Sequence, residues 1–499
     1  MLSITAEKGP LRLVRTDVRP EPSSRPAEEV IRPLIDGRRI GGEPHPVQLL
    51  NPATAKPFAR IAYATGSDMD HAVESASGAL SLWRSVAFQD RARKLRRLAD
   101  RIHADAWSIA RVIAEEQGKP WLEALHHEVL PALDHLRFII EFAERYHGGL
   151  DVEPRHPFYA HKEAHYLYDA IGVIALVTPS PLPFALPLVQ VAAALAMGNA
   201  VILKPSERTP MSGLRIGELC AEVGFPPGLV NVVPALPACT LRLVTHPKVD
   251  KVFFTGSVDA GRRVHVAAGC EVRPTVLGLG GKHPAVVAGD ADLGRAARGI
   301  VWGALANSGQ NCGSIERVYV EECVAAEFID RVVHEVKRLR LGNPLTEEVD
   351  VGPLQSAARR QEVHRQVNDA VRLGARVLCG GAPLDTPGFF YQPTVLVSVP
   401  NDCALMQQET LGPVIPIIIV DTIERAILLA NECDLALTAS GWTQSEHTAQ
   451  RLMVGLPAGV VTINDVLYSF GEPAATWSGH RMSGFGQSHG TPGLREMSR

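Results

Sequence analysis

Four short apolar runs recur in the middle of the chain: "IGVIALV" (171–177), "AVIL" (200–203), "LVNVV" (229–233) and "KVFF" (251–254). "FALPLVQVAAALAMG" fills the first gap and "GLRIGELCAEVG" the second, both with helical spacing of apolar positions. Near-continuous Val/Ile/Leu strands alternating with helices predict a parallel sheet covered on both faces. The fold class is therefore α/β and doubly wound, with ligands expected at the carboxyl ends of the strands. Upstream, residues 88–117 read as one long helix whose apolar face carries Leu95, Leu98, Ile102 and Ile109. Downstream, "PAVVAG", "RVYV", "PIIIV" and "GVVTI" predict a second α/β unit spanning about 284–465.

No charged residue occurs from Ala170 to Leu203, which imitates a membrane span. Pro179, Pro181, Pro183 and Pro187 interrupt the stretch, and Gln190 and Asn199 lie inside it. A buried strand, a turn, a core helix and a second buried strand fit it better. At 499 residues the chain exceeds one hydrophobic core, so two or more domains are expected. The 50 Lys+Arg against 54 Asp+Glu leave no basic excess for nucleic acid or a membrane surface. That balance points to small-molecule chemistry. Eight cysteines are scattered without a CxxC or a Cys/His cluster, which predicts neither disulfides nor zinc and places the chain in the reducing cytosol. The first 28 residues mix Pro and Arg with Glu7, Asp17, Glu21 and Glu28. That composition suits neither a signal nor a transit peptide, and the segment reads as a mobile extension.

Three segments hold candidate chemistry. "FFTGSVDAGRRV" sets Gly256 and Gly261 between an apolar strand and a helix start, a turn that either reverses the chain or offers N–H groups to a phosphate. "VILKPSERTP" leaves Lys204 and Glu207 beyond a strand end, where they hold ribose hydroxyls or cap a helix. "NSGQNCGSIERVYV" places Cys312 among small and polar residues, giving a thiol the room a nucleophile needs; a small buried hydrophobe is the alternative.

Taken in order, "LKPSERTP", "FTGSVDAG", "GLGGKHP", "GQNC", "VGPL" (351–354), "ETLGPV" (409–414) and "MSGFGQSHG" (482–490) resemble the NAD(P)-dependent aldehyde dehydrogenase superfamily, from about Ile31 onward. The resemblance implies a Rossmann-like cofactor domain at 29–150 and 169–277 and a catalytic domain at 278–470. It also implies bridging segments at 151–168 and 471–499. It implies that Cys312 attacks the carbon of a small aldehyde, that hydride passes to the nicotinamide, and that a thioester remains. Lys204 and Glu207 match the ribose-binding positions, and a glutamate at 207 favours NAD over NADP by repelling a 2′-phosphate. Ser257 matches a pyrophosphate contact within the turn bounded by Gly256 and Gly261. Thr178 matches a further cofactor position, and Glu409 the partner of the nicotinamide ribose.

The departures from the family pattern are concentrated at the reacting centre. The glutamate of the usual E-L-G-G, which activates the cysteine and the hydrolytic water, is Gly278 here. In "TPSPLP", Ser180 and Pro181 stand where P-W-N supplies an amide for the oxyanion, and proline has no N–H to offer. A relay lysine becomes Gln190 and its acidic partner Ser488. His489 reads as an exposed histidine without a role, a substitute base being the alternative. Leu182, Phe184 and Leu186 line an apolar pocket or belong to the core. Three readings follow: a slow NAD-dependent aldehyde oxidation, acyl transfer to coenzyme A or another thiol, and a cofactor-binding pseudoenzyme. Because "GLREMSR" ends the sequence where the family's subunit-joining strand begins, a homodimer is the largest expected assembly.

Overall fold

The computed structural model describes residues 2–5, 12–15, 29–147, 149–346, 349–456 and 458–499. Residues 2–5 and 12–15 pair as antiparallel strands; the rest of the segment read as a mobile extension lies outside the described residues. The helix expected over 88–117 is two helices, Phe88–Ala104 (α1) and Ala106–Gln117 (α2). Asp105 ends one and begins the other with φ −105° and ψ 8°, and its carboxylate is held by Arg215 at 2.7 Å. Leu95, Leu98, Ile102 and Ile109 are nevertheless all buried, so the periodicity located the core face but not the break.

Strands Leu34–Ile35 (β1) and Arg38–Arg39 (β2) precede the apolar runs, which form Val173–Val177 (β3), Ala200–Lys204 (β4), Val230–Val232 (β5) and Lys251–Gly256 (β6). Thr275–Leu279 (β7) follows. The sheet order is β7-β6-β3-β4-β5-β1-β2, parallel from β7 to β5 and antiparallel at the β5/β1 edge. Every residue of β3, β4 and β5 is buried, as is every residue of helix Ala185–Ala196 (α3), which explains the uncharged stretch without a membrane. No helix among the described residues is long and apolar enough to cross one.

The second sheet contains His283–Val287 (β8), Ile315–Glu321 (β9), Arg376–Cys379 (β10), Thr394–Val397 (β11), Val414–Val420 (β12), Thr438–Trp442 (β13) and Val460–Ile463 (β14), in the order β10-β11-β12-β9-β8-β13-β14. Alternate residues separate into two cores: Ala285, Val287, Val318 and Val320 on one face, Val286, Tyr319 and Leu396 on the other. That is the period of two expected of a sheet buried on both sides.

Leu150–Val152 and Ala164–Tyr166 form an antiparallel hairpin. The C-terminal segment returns to the first sheet. Gly484–Phe485 (β15) pairs antiparallel with β7, and Arg499 exchanges backbone hydrogen bonds of 3.0 and 3.1 Å with Asp169. In register, Val177 lies beside Lys204 and Phe254, and Gly256 beside Leu279, so these strands finish at one common edge.

Candidate active site

At that edge lies a cleft of about 660 Å³, within the range of small-molecule sites. It opens where the chain runs from β3 to β4 on one side and β6 lies on the other, the reversal of strand order that favours ligand binding. Thr178, Lys204, Glu207, Gly256, Ser257, Cys312 and Glu409 all border it. Gly261 does not border it. A Cβ there would fall 2.3 Å from Leu279 Cδ2, so this glycine lets helix Val258–Cys270 (α4) approach β7. Ser257 caps α4 by accepting from Ala260 N at 3.4 Å, and the helix N-terminus faces the cleft with its first-turn amides.

At the far end, Lys204 Nζ stands 3.7 Å from Glu207 Oε2. Burial lowers the Lys204 pKa, and the neighbouring Glu207 opposes that shift. Tyr63 fixes the loop by donating to the Glu207 carbonyl at 2.6 Å. Arg208, which the sequence reading passed over, lines the same end, its Nε 3.9 Å from Glu207 Oε1. Thr178 is buried, and its Oγ1 has no hydrogen-bond partner.

Cys312 follows a tight turn in which Asn307 and Ser308 take φ of 53° and 58°. Asn307 Nδ2 donates to Gln310 O at 2.7 Å and Ser308 Oγ to Gly352 O at 2.8 Å, holding this uncommon conformation. Gly309, at φ 72°, passes so close to the next loop that a Cβ would fall 2.1 Å from Gly412 O. That loop carries Glu409, and a buried pair anchors it. Lys282 Nζ meets Glu316 Oε2 at 2.6 Å and donates to Thr410 Oγ1 at 2.8 Å, while Glu316 accepts from the amides of Thr410 and Leu411. The lysine of "GLGGKHP" is thus a structural tie. Burial and the nearby Glu316 push Glu409 up to about 7, and burial followed by Glu409 pushes the Cys312 thiol up to about 12.

Behind Cys312 lies a second, smaller cavity of about 50 Å³, with Leu182, Leu186, Phe253, Phe470 and Trp477 among its walls. Cys312 and Gly278 border both spaces. Leu182 and Leu186 line this cavity, whereas Phe184 is fully buried and absent from its lining. Gly278 pairs with Thr255, and a Cβ at 278 would sit 3.3 Å from Thr255 Oγ1, so a side chain fits there with a small adjustment. Pro181 turns its carbonyl to Gln117 Nε2 at 2.9 Å and Lys119 Nζ at 3.2 Å. Lys119 is in turn paired with Glu128 at 2.5 Å, whose other oxygen accepts from the amides of Phe184 and Ala185.

The sequence profile of the aldehyde dehydrogenase family matches residues 40–499. The chain belongs to the aldehyde dehydrogenase family. Lactaldehyde dehydrogenase of Escherichia coli K12 is 35% identical over 454 residues, covering 90% of this chain and 93% of that one. The NAD+ complex of an aldehyde dehydrogenase from Bacillus cereus superposes with a TM-score of 0.90 at 30% identity, covering 95% of this chain and 96% of the other. An NADP-dependent enzyme of E. coli gives the same TM-score at 29% identity, covering 94% and 96%. A family in which both dinucleotides occur leaves the choice between them to the residues at the ribose end.

Within this aldehyde dehydrogenase family member, two groups besides Arg208 escaped the sequence reading, and His489 was misplaced by it. Lys119 and Glu128 stand out only as opposite charges inside an apolar helical stretch, "GKPWLEALHHEV". Arg359 lines the cleft and donates to Thr410 O at 3.2 Å, brought there by a helix with no motif of its own. His489, expected to be exposed, is 8% exposed and lines the smaller cavity. Its pentapeptide Gly486–Gly490 has the G-x-S-x-G spacing of a tight strand-to-helix turn. Here that turn joins β15 to the short helix Gly490–Arg495 and carries Ser488 and His489 inward. That spacing was the available signal.

The buried tie gives a stability test. Lys282→Met should lower stability by about 3–5 kcal/mol, because Glu316 would be left charged and unpaired in the core. Adding Glu316→Leu should give no rescue, since the Thr410 and Leu411 amides would lose their acceptor. Denaturant unfolding of the two variants decides this, and a double variant as stable as wild type would remove the anchoring role.

Proposed function

We propose that the protein oxidises an aldehyde through Cys312 with a nicotinamide dinucleotide, NAD in preference to NADP, and that release of the acid is its slow step. The observation that carries this reading is the position of Cys312 on the boundary between a dinucleotide-sized cleft and a small apolar cavity. The cleft residues suit the cofactor. Lys204, Glu207 and the unpartnered Thr178 Oγ1 supply polar groups at one side, the α4 N-terminus suits a pyrophosphate, and Glu409 suits a ribose. When bound, the dinucleotide supplies the hydride acceptor.

The chain's own part begins with the thiol. A Cys312 thiol raised by burial is mostly protonated at neutral pH, so attack draws on a minor thiolate population. The aldehyde carbon bonds to Sγ, and the Cys312 backbone N–H is the oxyanion donor that remains beside Pro181. Loss of one oxyanion donor costs about 10²–10³ in rate, and loss of a general base about 10²–10⁴. Once the hydride has left, Cys312 holds an acyl thioester. Hydrolysis needs a base, and Gly278 has no side chain to provide one. Acylation is therefore slowed and deacylation slowed further. Glu207 carries the cofactor preference as a negative charge at the ribose end, with Arg208 beside it as an opposing charge. The substrate class is a small aldehyde with an apolar body, matching Leu182, Leu186 and Phe470.

Cys312→Ala should abolish turnover while dinucleotide affinity, measured by calorimetry, stays within a few-fold. Retained turnover would remove Cys312 from the mechanism. Stopped-flow absorbance with an aldehyde panel should show a burst of reduced dinucleotide near one equivalent, then slow turnover. Gly278→Glu should raise the steady rate more than the burst. A linear trace together with an unaccelerated variant would refute slow deacylation, and acceleration only by coenzyme A would mark a thiol as the acceptor. Glu207→Gln should reduce the kcat/KM preference for NAD over NADP about fivefold, the effect of about 1 kcal/mol between partly solvated charges. An unchanged ratio would show that Glu207 does not face the 2′ position.

A further inference from the structure

Among the polar side chains that line the small cavity, three are buried with a polar atom left unpartnered. Gln190, Trp477 and His489 are 5%, 7% and 8% exposed, and all three line the cavity that Cys312 borders. Gln190 Oε1, Trp477 Nε1 and His489 Nε2 each lack a hydrogen-bond partner. One such buried group costs about 1–3 kcal/mol, so three around one cavity call for a common ligand.

His489 is also held under strain. Its backbone lies at φ 62° and ψ 170°, a region that belongs almost wholly to glycine, and such outliers cluster at functional sites. The rings of His135 and Phe470, with centroids 5.0 and 5.3 Å away, flank the imidazole. Nδ1 is 3.3 Å from Ser488 Oγ, so a proton on Nδ1 leaves Nε2 free to accept. Burial, with His135 adding to it, lowers the His489 pKa well below the usual range and keeps the ring neutral at pH 7.

A buried water needs roughly 10–15 Å³ and two to four polar partners. The cavity of about 50 Å³ and its two acceptors and one donor meet both conditions. We propose that Gln190, Trp477 and His489 hold the water that hydrolyses the acyl-Cys312 thioester, with His489 Nε2 taking its proton. This rests on the Cys312 chemistry proposed above. The water oxygen bonds to the thioester carbon as one proton moves to Nε2. The C–S bond then breaks, the Cys312 thiolate leaves, and the imidazolium returns a proton to it. A carboxylic acid and a neutral thiol result, with no change of oxidation state. A residual base of this kind sets a slow steady rate rather than none.

The test bypasses the oxidation. The full-length protein is acylated with the activated ester 4-nitrophenyl acetate, and loss of the acyl group from the Cys312 peptide is followed by mass spectrometry. His489→Gly removes the imidazole and relieves the positive φ; circular dichroism and unfolding establish that it folds. Adduct formation should stay within a few-fold of wild type, while adduct decay should slow about a hundredfold. Added imidazole should restore at least a tenth of the wild-type decay rate, an effect that a structural role would not produce. Gln190→Leu, which keeps the apolar volume, should slow decay about tenfold. Decay unchanged in a folded His489→Gly protein would overturn the proposal and leave the Cys312 chemistry standing. No adduct on Cys312 in the wild type would overturn both.

Discussion

The buried contact between Lys282 and Glu316 sets the geometry on which the rest of the site depends. Lys282 starts just past the end of β7, Glu316 lies on β9 of the other sheet, and their partner Thr410 is next to Glu409. One ion pair therefore joins both sheets to the loop at the cleft. Its geometry is fully satisfied, because Glu316 also takes two backbone amides and Lys282 a hydroxyl. Losing either member of the pair leaves a buried charge, and losing both leaves the Thr410 and Leu411 amides without their acceptor. Its value is positional.

The two ends of the cleft are built differently. Along the strand ends, register and one helix N-terminus do most of the positioning, so backbone geometry dominates. Around Cys312, side-chain hydrogen bonds hold Asn307 and Ser308 in uncommon conformations, and His489 adopts another. Gly278 keeps its place in register opposite Thr255 without a side chain. Backbone pairing alone therefore maintains the strand at this position.

Much of this was legible in the sequence, and the misses have physical causes. The runs at 171–177, 200–203 and 251–254 were readable because a doubly covered strand must be apolar throughout. That Cys312, Lys204 and Glu409 share one cleft was readable because their motifs recur in order. The break at Asp105 was not, since apolar periodicity continues in phase across it and the partner that holds it, Arg215, is 110 residues away. His489 was misjudged for a related reason. Proximity to the end of a chain suggests exposure, but burial is decided by β15 pairing with β7, a contact no local pattern reports. Arg208 and Arg359 resemble any surface arginines until the fold places them at the cleft.

The sequence distance between the partners of the buried tie also imposes an order in time. Lys282 and Thr410 are 128 residues apart, and Glu316 and Thr410 are 94. As the chain grows from its N-terminus, strands β3 to β6 are complete long before residue 410 exists, whereas the strained turn before Cys312 has no loop to lean on. Contacts of such long range form late, after closure of the intervening loop has been overcome. Residue 312 is therefore synthesised about a hundred residues before the loop that packs against its turn, so the contacts that complete this turn are among those of longest range.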